Sequence, residues 1–214
     1  GDAIAAQTDL LIAGGDFTLT SGGGSAGNLA AGASAKALKG VATLSIDSGT
    51  FVIDAADDAL HSNGSLTVNG GTFAVATGDD GMHADAALTI NGGEIAISQS
   101  YEGIESAVIT INAGSIQVVS SDDGINVATG VDGSGAMRPG GRPGGQTDTF
   151  SYTGSNYLYI HGGEIYVDAR GDGVDVNGAI EMSAGLLVVS GPTEDMNGAL
   201  DYDGGFNLSG GLVV

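Results

Sequence analysis

Apolar and polar residues alternate through most of this chain, and the alternation restarts at a fixed interval. A glycine, often the second of a pair, stands at Gly15, Gly49, Gly71, Gly93, Gly114, Gly163, Gly185 and Gly211. The gaps are 34, 22, 22, 21, 49, 22 and 26, so the unit is 22 residues with three interruptions. Five and three residues before each glycine come apolar pairs such as Leu10/Ile12, Leu66/Val68, Leu88/Ile90 and Leu158/Ile160. Two and four residues after it come Phe17/Leu19, Phe51/Ile53, Phe73/Val75 and their equivalents. A period of two predicts strands. The Asn-Gly-Gly turns at Asn69 and Asn91 tolerate positive φ. A second turn, often Asp-Asp-Gly or Asp-Asp-Ala, precedes a fifth apolar position (Leu38, Leu60, Met82, Ile104, Ile125, Val174).

One such unit buries its apolar side only against another, so eight must stack. The pattern predicts an all-β fold: a right-handed single-stranded parallel β-helix, a solenoid of about eight coils. At about 4.8 Å per coil it would stand roughly 38 Å tall. No segment holds a helical period over ten residues. The chain is read as one β-helix domain over 1–214, with insertions at about 21–34 and 130–156 and a smaller one at 190–196. The two larger insertions are Gly-rich, and the second includes Arg138-Pro-Gly-Gly-Arg-Pro-Gly-Gly145. They are either functional loops on a rigid scaffold or tolerated extensions.

Composition narrows the function. There are 40 Gly, 26 Asp plus Glu, 5 Lys plus Arg and no Cys, for a net charge of −21. That charge excludes a nucleic-acid binder, which needs a basic footprint. No apolar run is long enough for a membrane-spanning helix. Disulfides and thiol chemistry are excluded. Hydrophobic residues make up 42% of the chain, so it should fold rather than stay disordered. No leader precedes the pattern at Gly1, and the chain is expected to be a processed or excised piece.

Stacking converts positions into columns. Beside the Asp-Asp turn three columns are expected on the outer surface. The first contains Asp57, Asp79, Tyr101 and Asp122; the second contains Asp2, Lys36, Asp58, Asp80, Glu102, Asp123 and Asp172. The third runs Lys39, His61, His83, Glu105, Asn126, Asp175, Asp201. Like charges 4.8 Å apart repel by roughly 0.9 kcal/mol in water and about 3.5 kcal/mol at an effective dielectric of 20. Lys36 and Lys39 lie at one end only. A hard divalent cation, Ca²⁺ before Mg²⁺, would neutralise such columns through carboxylate and carbonyl oxygens. The alternative is a solvated acidic face of turn-forming Asp. His61 and His83 read either as solvent-facing turn residues or as a transition-metal pair. Tyr157, Tyr159 and Tyr166 take outward strand positions, with Tyr152 in the loop nearby. They would either stack on sugar rings or cover the 130–156 insertion.

The sequence resembles the secreted clostridial carbohydrate-binding β-helix proteins that look like polysaccharide lyases. The resemblance rests on Leu66-Thr-Val-Asn-Gly-Gly-Thr-Phe73, Leu88-Thr-Ile-Asn-Gly-Gly-Glu-Ile95 and Asp79-Asp-Gly-Met-His83. The Gly-Arg-Pro-Gly-Gly loop, Tyr157-Leu-Tyr-Ile-His-Gly-Gly163, Gly171-Asp-Gly-Val-Asp175, Gly191-Pro-Thr and Asn197-Gly-Ala-Leu-Asp-Tyr-Asp203 extend it over nearly the whole chain. It implies binding of cellulose and of acidic sugars such as polygalacturonate, with Ca²⁺ held at Asp57, Asp58, Asp79, Asp80, Asp122 and Asp123. Tyr101-Glu102 departs from the Asp-Asp pattern and puts a site at that coil in doubt.

Three functions follow from these residues. The favoured one is a secreted, non-catalytic polysaccharide-binding module, either free or attached to the cell surface, with no nucleic-acid partner and no insertion into membranes. The second is a structural solenoid that self-associates through open coil ends. The third is a Ca²⁺-dependent pectate-type lyase, whose base would come from Lys36, Lys39, Arg138, Arg142 or Arg170. Fold analogy alone does not establish catalysis.

Overall fold

The computed structural model describes residues 1–30, 32–128 and 154–214. Among these residues there is no helix, and 24 strands, β1 to β24 in chain order, form three parallel sheets of eight. Each coil gives one strand to each sheet. The third coil, for example, supplies β7 (Leu60–Ser62) to sheet A, β8 (Ser65–Val68) to sheet B and β9 (Thr72–Thr77) to sheet C. This is a parallel β-helix of about eight coils. No described helix is long and apolar enough to cross a membrane.

The register is the one that the glycine-locked columns require. Leu66 stands between Leu44 and Leu88, Phe51 between Phe17 and Phe73, and Met82 between Leu60 and Ile104. Leu44, Leu66, Leu88, Ile109 and Leu158 are all fully buried. Phe17, Phe51 and Phe73 stack face to face with centroids 4.9 and 4.6 Å apart. One repeated apolar column is thus the core, because each coil covers the side chains of the one beside it.

The turn between sheets B and C explains its own sequence. Gly71 has φ +110°, and a Cβ there would lie 2.9 Å from the Gly49 carbonyl oxygen. Both the dihedral and the close inter-coil approach exclude a side chain. The asparagine before the glycines forms a ladder up the outside. Asn69 Nδ2 donates to Asp47 Oδ1 (2.8 Å), Asn91 Nδ2 to Asn69 Oδ1 (2.8 Å) and Asn112 Nδ2 to Asn91 Oδ1 (2.7 Å).

The first insertion lies between β3 (Asp16–Ser21) and β4 (Leu38–Gly40) and is pinned at both ends. Ser25 N–H donates to Asp54 Oδ1 (2.6 Å), and Ser21 Oγ donates to the Ala35 carbonyl (2.6 Å). Its return path delivers Lys36 to the acidic turn. The second insertion, with Arg138, Arg142 and Tyr152, falls outside the described residues apart from its last three.

Phe51→Ala removes the middle ring of the stack and leaves a cavity between two others. Denaturation should show a loss of about 3–5 kcal/mol, whereas Val52→Ala, on the exposed face of the same strand, should change stability by no more than about 0.5 kcal/mol.

Candidate functional site

The columns beside the Asp-Asp turn are buried, not on the outer surface as expected. Asp58 and Asp80 are 0% exposed, and Asp57, Asp79 and Asp172 are buried as well. Glu102, Asp122 and Asp123 are half-buried. His61 and His83 are buried too, so neither is a solvent-facing turn residue. The coils of Asp57–Asp58 and Asp79–Asp80 are therefore no solvated acidic face, while Glu102, Asp122 and Asp123 keep part of their exposure.

Hydrogen bonding gives a reason for the burial. In the second column a carboxylate accepts the backbone N–H of the equivalent residue one coil on. Asp58 Oδ1 accepts from Asp80 N–H (3.3 Å), Asp80 Oδ1 from Glu102 N–H (3.3 Å) and Asp123 Oδ1 from Asp172 N–H (2.7 Å). Asp2 Oδ1 does the same for Lys36 N–H (2.9 Å), and Asp172 Oδ1 for Gly198 N–H. The turn interrupts the backbone ladder between coils, and the carboxylate supplies an acceptor that a buried amide needs. The second-column carboxylates thus bond across coils, while Asp57 Oδ1 also accepts Asp58 N–H within its own turn (3.1 Å).

The remaining negative charge is balanced unevenly along the column. At the lower end the Lys36 ammonium sits between Asp57 Oδ1 (2.9 Å) and Asp58 Oδ2 (2.6 Å). Burial opposes its charge, but Asp58 and Asp57 outweigh that and hold its pKa above the ordinary lysine value. Asp58 also bonds His61 Nδ1 (2.7 Å). Burial would raise the Asp58 carboxyl, but the His61 hydrogen bond and the Lys36 charge bring it below the usual carboxylate range. His83 stacks on His61 with centroids 5.0 Å apart. Its Nδ1 faces Glu105 Oε2 (2.7 Å) and Asp80 Oδ2 (3.2 Å), and its Nε2 faces Asp85 Oδ1 (3.0 Å). Both ring nitrogens face carboxylates, so the ring is an imidazolium. Burial lowers its pKa, but the bonds to Asp80 and Glu105 prevail and push it up to about 12. A metal at this ring would have to displace a proton and one of its carboxylate contacts.

Higher up, the charge is left to the carboxyls themselves. Desolvation raises Asp80, Glu102 and Asp123; neighbouring carboxylates raise them further, Asp123 to about 8. Side-chain oxygens of Asp80, Glu102 and Glu105 lie within 4.8 Å of one another, as do those of Asp123, Asp172 and Asp175. Asn126 stands in register between Glu105 and Asp175. Its Nδ2 donates to Glu102 Oε2 (2.8 Å), while its buried Oδ1 has no partner. Such an acceptor oxygen is served by a cation when the neighbouring carboxyls are ionised and by a carboxyl O–H when they are protonated. These buried acidic clusters can hold a metal ion, and their all-oxygen donor set suits a hard one. Two further groups, Asp57–Asp58–Asp79 and Asp58–Asp80–His83, have equally close ligand atoms; the Lys36 ammonium lies against the first, and the His83 ring lies against Asp80 and Glu105 as well, so among the four groups only Asp123–Asp172–Asp175 stands clear of both.

Of the expected ligands, Asp80 and Glu102 fall in one cluster, and Asp123 and Asp172 in another; Asp57 and Asp58 hold Lys36, with an Asp79 carboxylate oxygen within 4.8 Å of theirs. Asp122 stands one residue before Asp123, and its backbone N–H donates to the Tyr101 carbonyl (2.9 Å). Glu105, Asp175 and Asn126 were not among the expected ligands. Register places all three in the histidine column beside the turn, but the Asp-Asp pattern does not mark them as ligands.

The three tyrosines do not form one platform. Tyr157 and Tyr159 lie on β17 (Tyr157–Ile160) in sheet B, half-buried, with rings stacked on each other at 5.4 Å. Tyr166 lies on β18 (Glu164–Ala169) in sheet C and is 38% exposed.

Residues 1–81 match the model of a family described as "Carbohydrate-binding domain-containing protein". The matched part carries Lys36, His61 and the Asp57–Asp58 and Asp79–Asp80 turns. No curated protein and no solved structure matches the chain.

Two outcomes test this electrostatic layout. Lys36→Met leaves Asp57 and Asp58 buried without their ammonium, and should cost about 3–5 kcal/mol in denaturant titration. The second concerns the metal-free protein. Asp123 keeps its proton to about pH 8 when folded, against an ordinary value of 3.8, so the folded state binds more protons over that window. Its unfavourable contribution grows as pH rises. His83 acts in the same direction above its ordinary 6.5, and Asp58 matters only below 3.8. In EDTA the melting temperature should therefore fall by roughly 5–10 °C between pH 5 and 8. A flat or rising profile would contradict the layout.

Proposed function

We propose that this protein is a secreted, non-catalytic carbohydrate-binding β-helix that holds Ca²⁺ between its coils and binds plant cell-wall polysaccharide, either cellulose or acidic pectin-type chains. The observation that carries the carbohydrate reading is the family match over residues 1–81. The metal reading is supported by the Asp80–Glu102–Glu105 cluster beside the unmatched Asn126 oxygen. On this reading Asp80, Glu102, Glu105 and Asn126 hold one ion, and Asp123, Asp172 and Asp175 are the second candidate set. Bound there, Ca²⁺ supplies positive charge that lets these carboxyls ionise and lets the face attract a uronate polymer instead of repelling it.

The chain's own residues favour binding over elimination chemistry. Lys36 is clamped by two carboxylates in the interior, and Arg170 is paired with Glu194 (3.0 Å) on the surface. Neither is held ready to take a proton from a sugar. The contacts to sugar are aromatic in this reading. Tyr166 offers an exposed ring, while the stacked Tyr157 and Tyr159 offer their outer edges.

Retention on cellulose and on polygalacturonate, each with Ca²⁺ and with EDTA, tests the reading. Retention on polygalacturonate should require Ca²⁺, and Ca²⁺ should raise the melting temperature at pH 8 and remove its pH dependence. No retention on either polymer would overturn carbohydrate binding. A melt unaffected by EDTA would overturn the metal.

A further inference from the structure

Beyond the acidic edge, one face of the solenoid has the shape and chemistry of a second binding surface. On the outside of sheet C, β15 (Ser115–Ser120), β18 and β21 (Leu186–Ser190) present two rows in register. Gln117, Tyr166 and Val188 form one row, and Val119, Asp168 and Ser190 the other. Together they line an open groove of about 300 Å³. Val119 is 43% exposed at its floor, and Tyr166 stands beside it. Large apolar groups on an outward sheet face, where solvated polar residues are the rule, mark contact surfaces.

The row through Tyr166 continues down the solenoid as Gln117, Ala96, Ala74 and Val52. Four coil steps give a track roughly 19 Å long, with side chains small enough at Ala74 and Ala96 for a flat chain to lie close to the backbone. Strand β12 (Glu94–Gln99) carries a register irregularity between Ile97 and Gln99, beside the groove's floor. Such bulges re-aim side chains beside binding sites.

Charge selects the occupant. The outward positions around the groove and track include Asp54, Glu94, Glu164 and Asp168, and no Lys or Arg lies on these sheet C strands among the described residues. An anionic polymer is repelled here. A neutral pyranose chain is not, and its two aspects match what the groove offers. Its C–H faces suit Tyr166, Val119 and Val188; its hydroxyl edges suit the Gln117 amide, the Asp168 carboxylate and the Ser190 hydroxyl. None of these residues belongs to a carboxylate cluster.

We propose that the outer face of sheet C is a separate glycan site, built on Tyr166, Val119, Val188, Gln117, Asp168 and Ser190, that takes a neutral pyranose chain independently of any metal. The proposal rests on the carbohydrate-binding reading above and assigns the neutral sugar to a different face from the acidic one.

Titration calorimetry of the whole chain with cellohexaose and with an oligogalacturonate of similar length, in Ca²⁺ and in EDTA, tests it. Cellohexaose should bind equally well in both buffers. Tyr166→Ala should weaken it roughly tenfold, and Val119→Asp, which places a second charge on the floor, should do so as well. Leu11→Ala, which trims an exposed apolar residue on sheet B, should leave affinity unchanged. If cellohexaose binds but Tyr166→Ala and Val119→Asp both bind it as tightly as the parent, the groove is overturned and the wider reading stands. The same holds if cellohexaose binding is lost in EDTA, or if only the oligogalacturonate binds. If neither sugar binds in either buffer, both readings fall.

Discussion

Every feature of this protein follows from register. A parallel coil stacked on its neighbour sets each residue about 4.8 Å from its equivalent, so the chain must tolerate like on like at every position. Leucine on leucine buries apolar surface, phenylalanine on phenylalanine stacks, and asparagine on asparagine bonds amide to amide. Glycine on glycine lets two backbones approach where a side chain would collide. These columns stabilise themselves. A carboxylate column does not.

The acidic edge shows how that conflict is handled. The carboxylates are partly employed as acceptors for turn amides that the sheet ladders miss, which ties them to the backbone and draws them inside. At the lower end an ammonium and an imidazolium come from the protein itself. The insertion over 21–34 is significant because its return path places Lys36 in the column. Above His83 the compensation becomes protonation or, on the proposed function, a bound cation. Burying charge is costly unless it is paired, and for that reason a column that changes its partner from coil to coil reads as a site and not as decoration.

The solenoid then offers two chemically distinct surfaces. On the proposed function the acidic edge attracts anionic sugars only with metal bound, and the outside of sheet C takes neutral ones without it. Tyr157 and Tyr159 point from a third face and cover each other, so aromatic residues that are close in sequence serve different surfaces.

The sequence by itself determined the coil, the strand pairs, the glycine turns and the vertical columns, because a period of 22 and a period of two leave little freedom in register. His83 above His61 and Asp80 above Asp58 were legible as neighbours before any coordinates. What the sequence left open was which side of the backbone a turn residue takes. Strand alternation assigns sides within strands but says nothing across an Asp-Asp turn, so the acidic columns read as outward when they are buried. Periodicity put Lys36 next to Asp58 in the column but did not reveal its burial between Asp57 and Asp58. Tertiary structure decided that, and it decided that Glu105, Asn126 and Asp175 join the acids of the turn. Those contacts join adjacent columns around the coil, a dimension that a one-dimensional repeat does not encode.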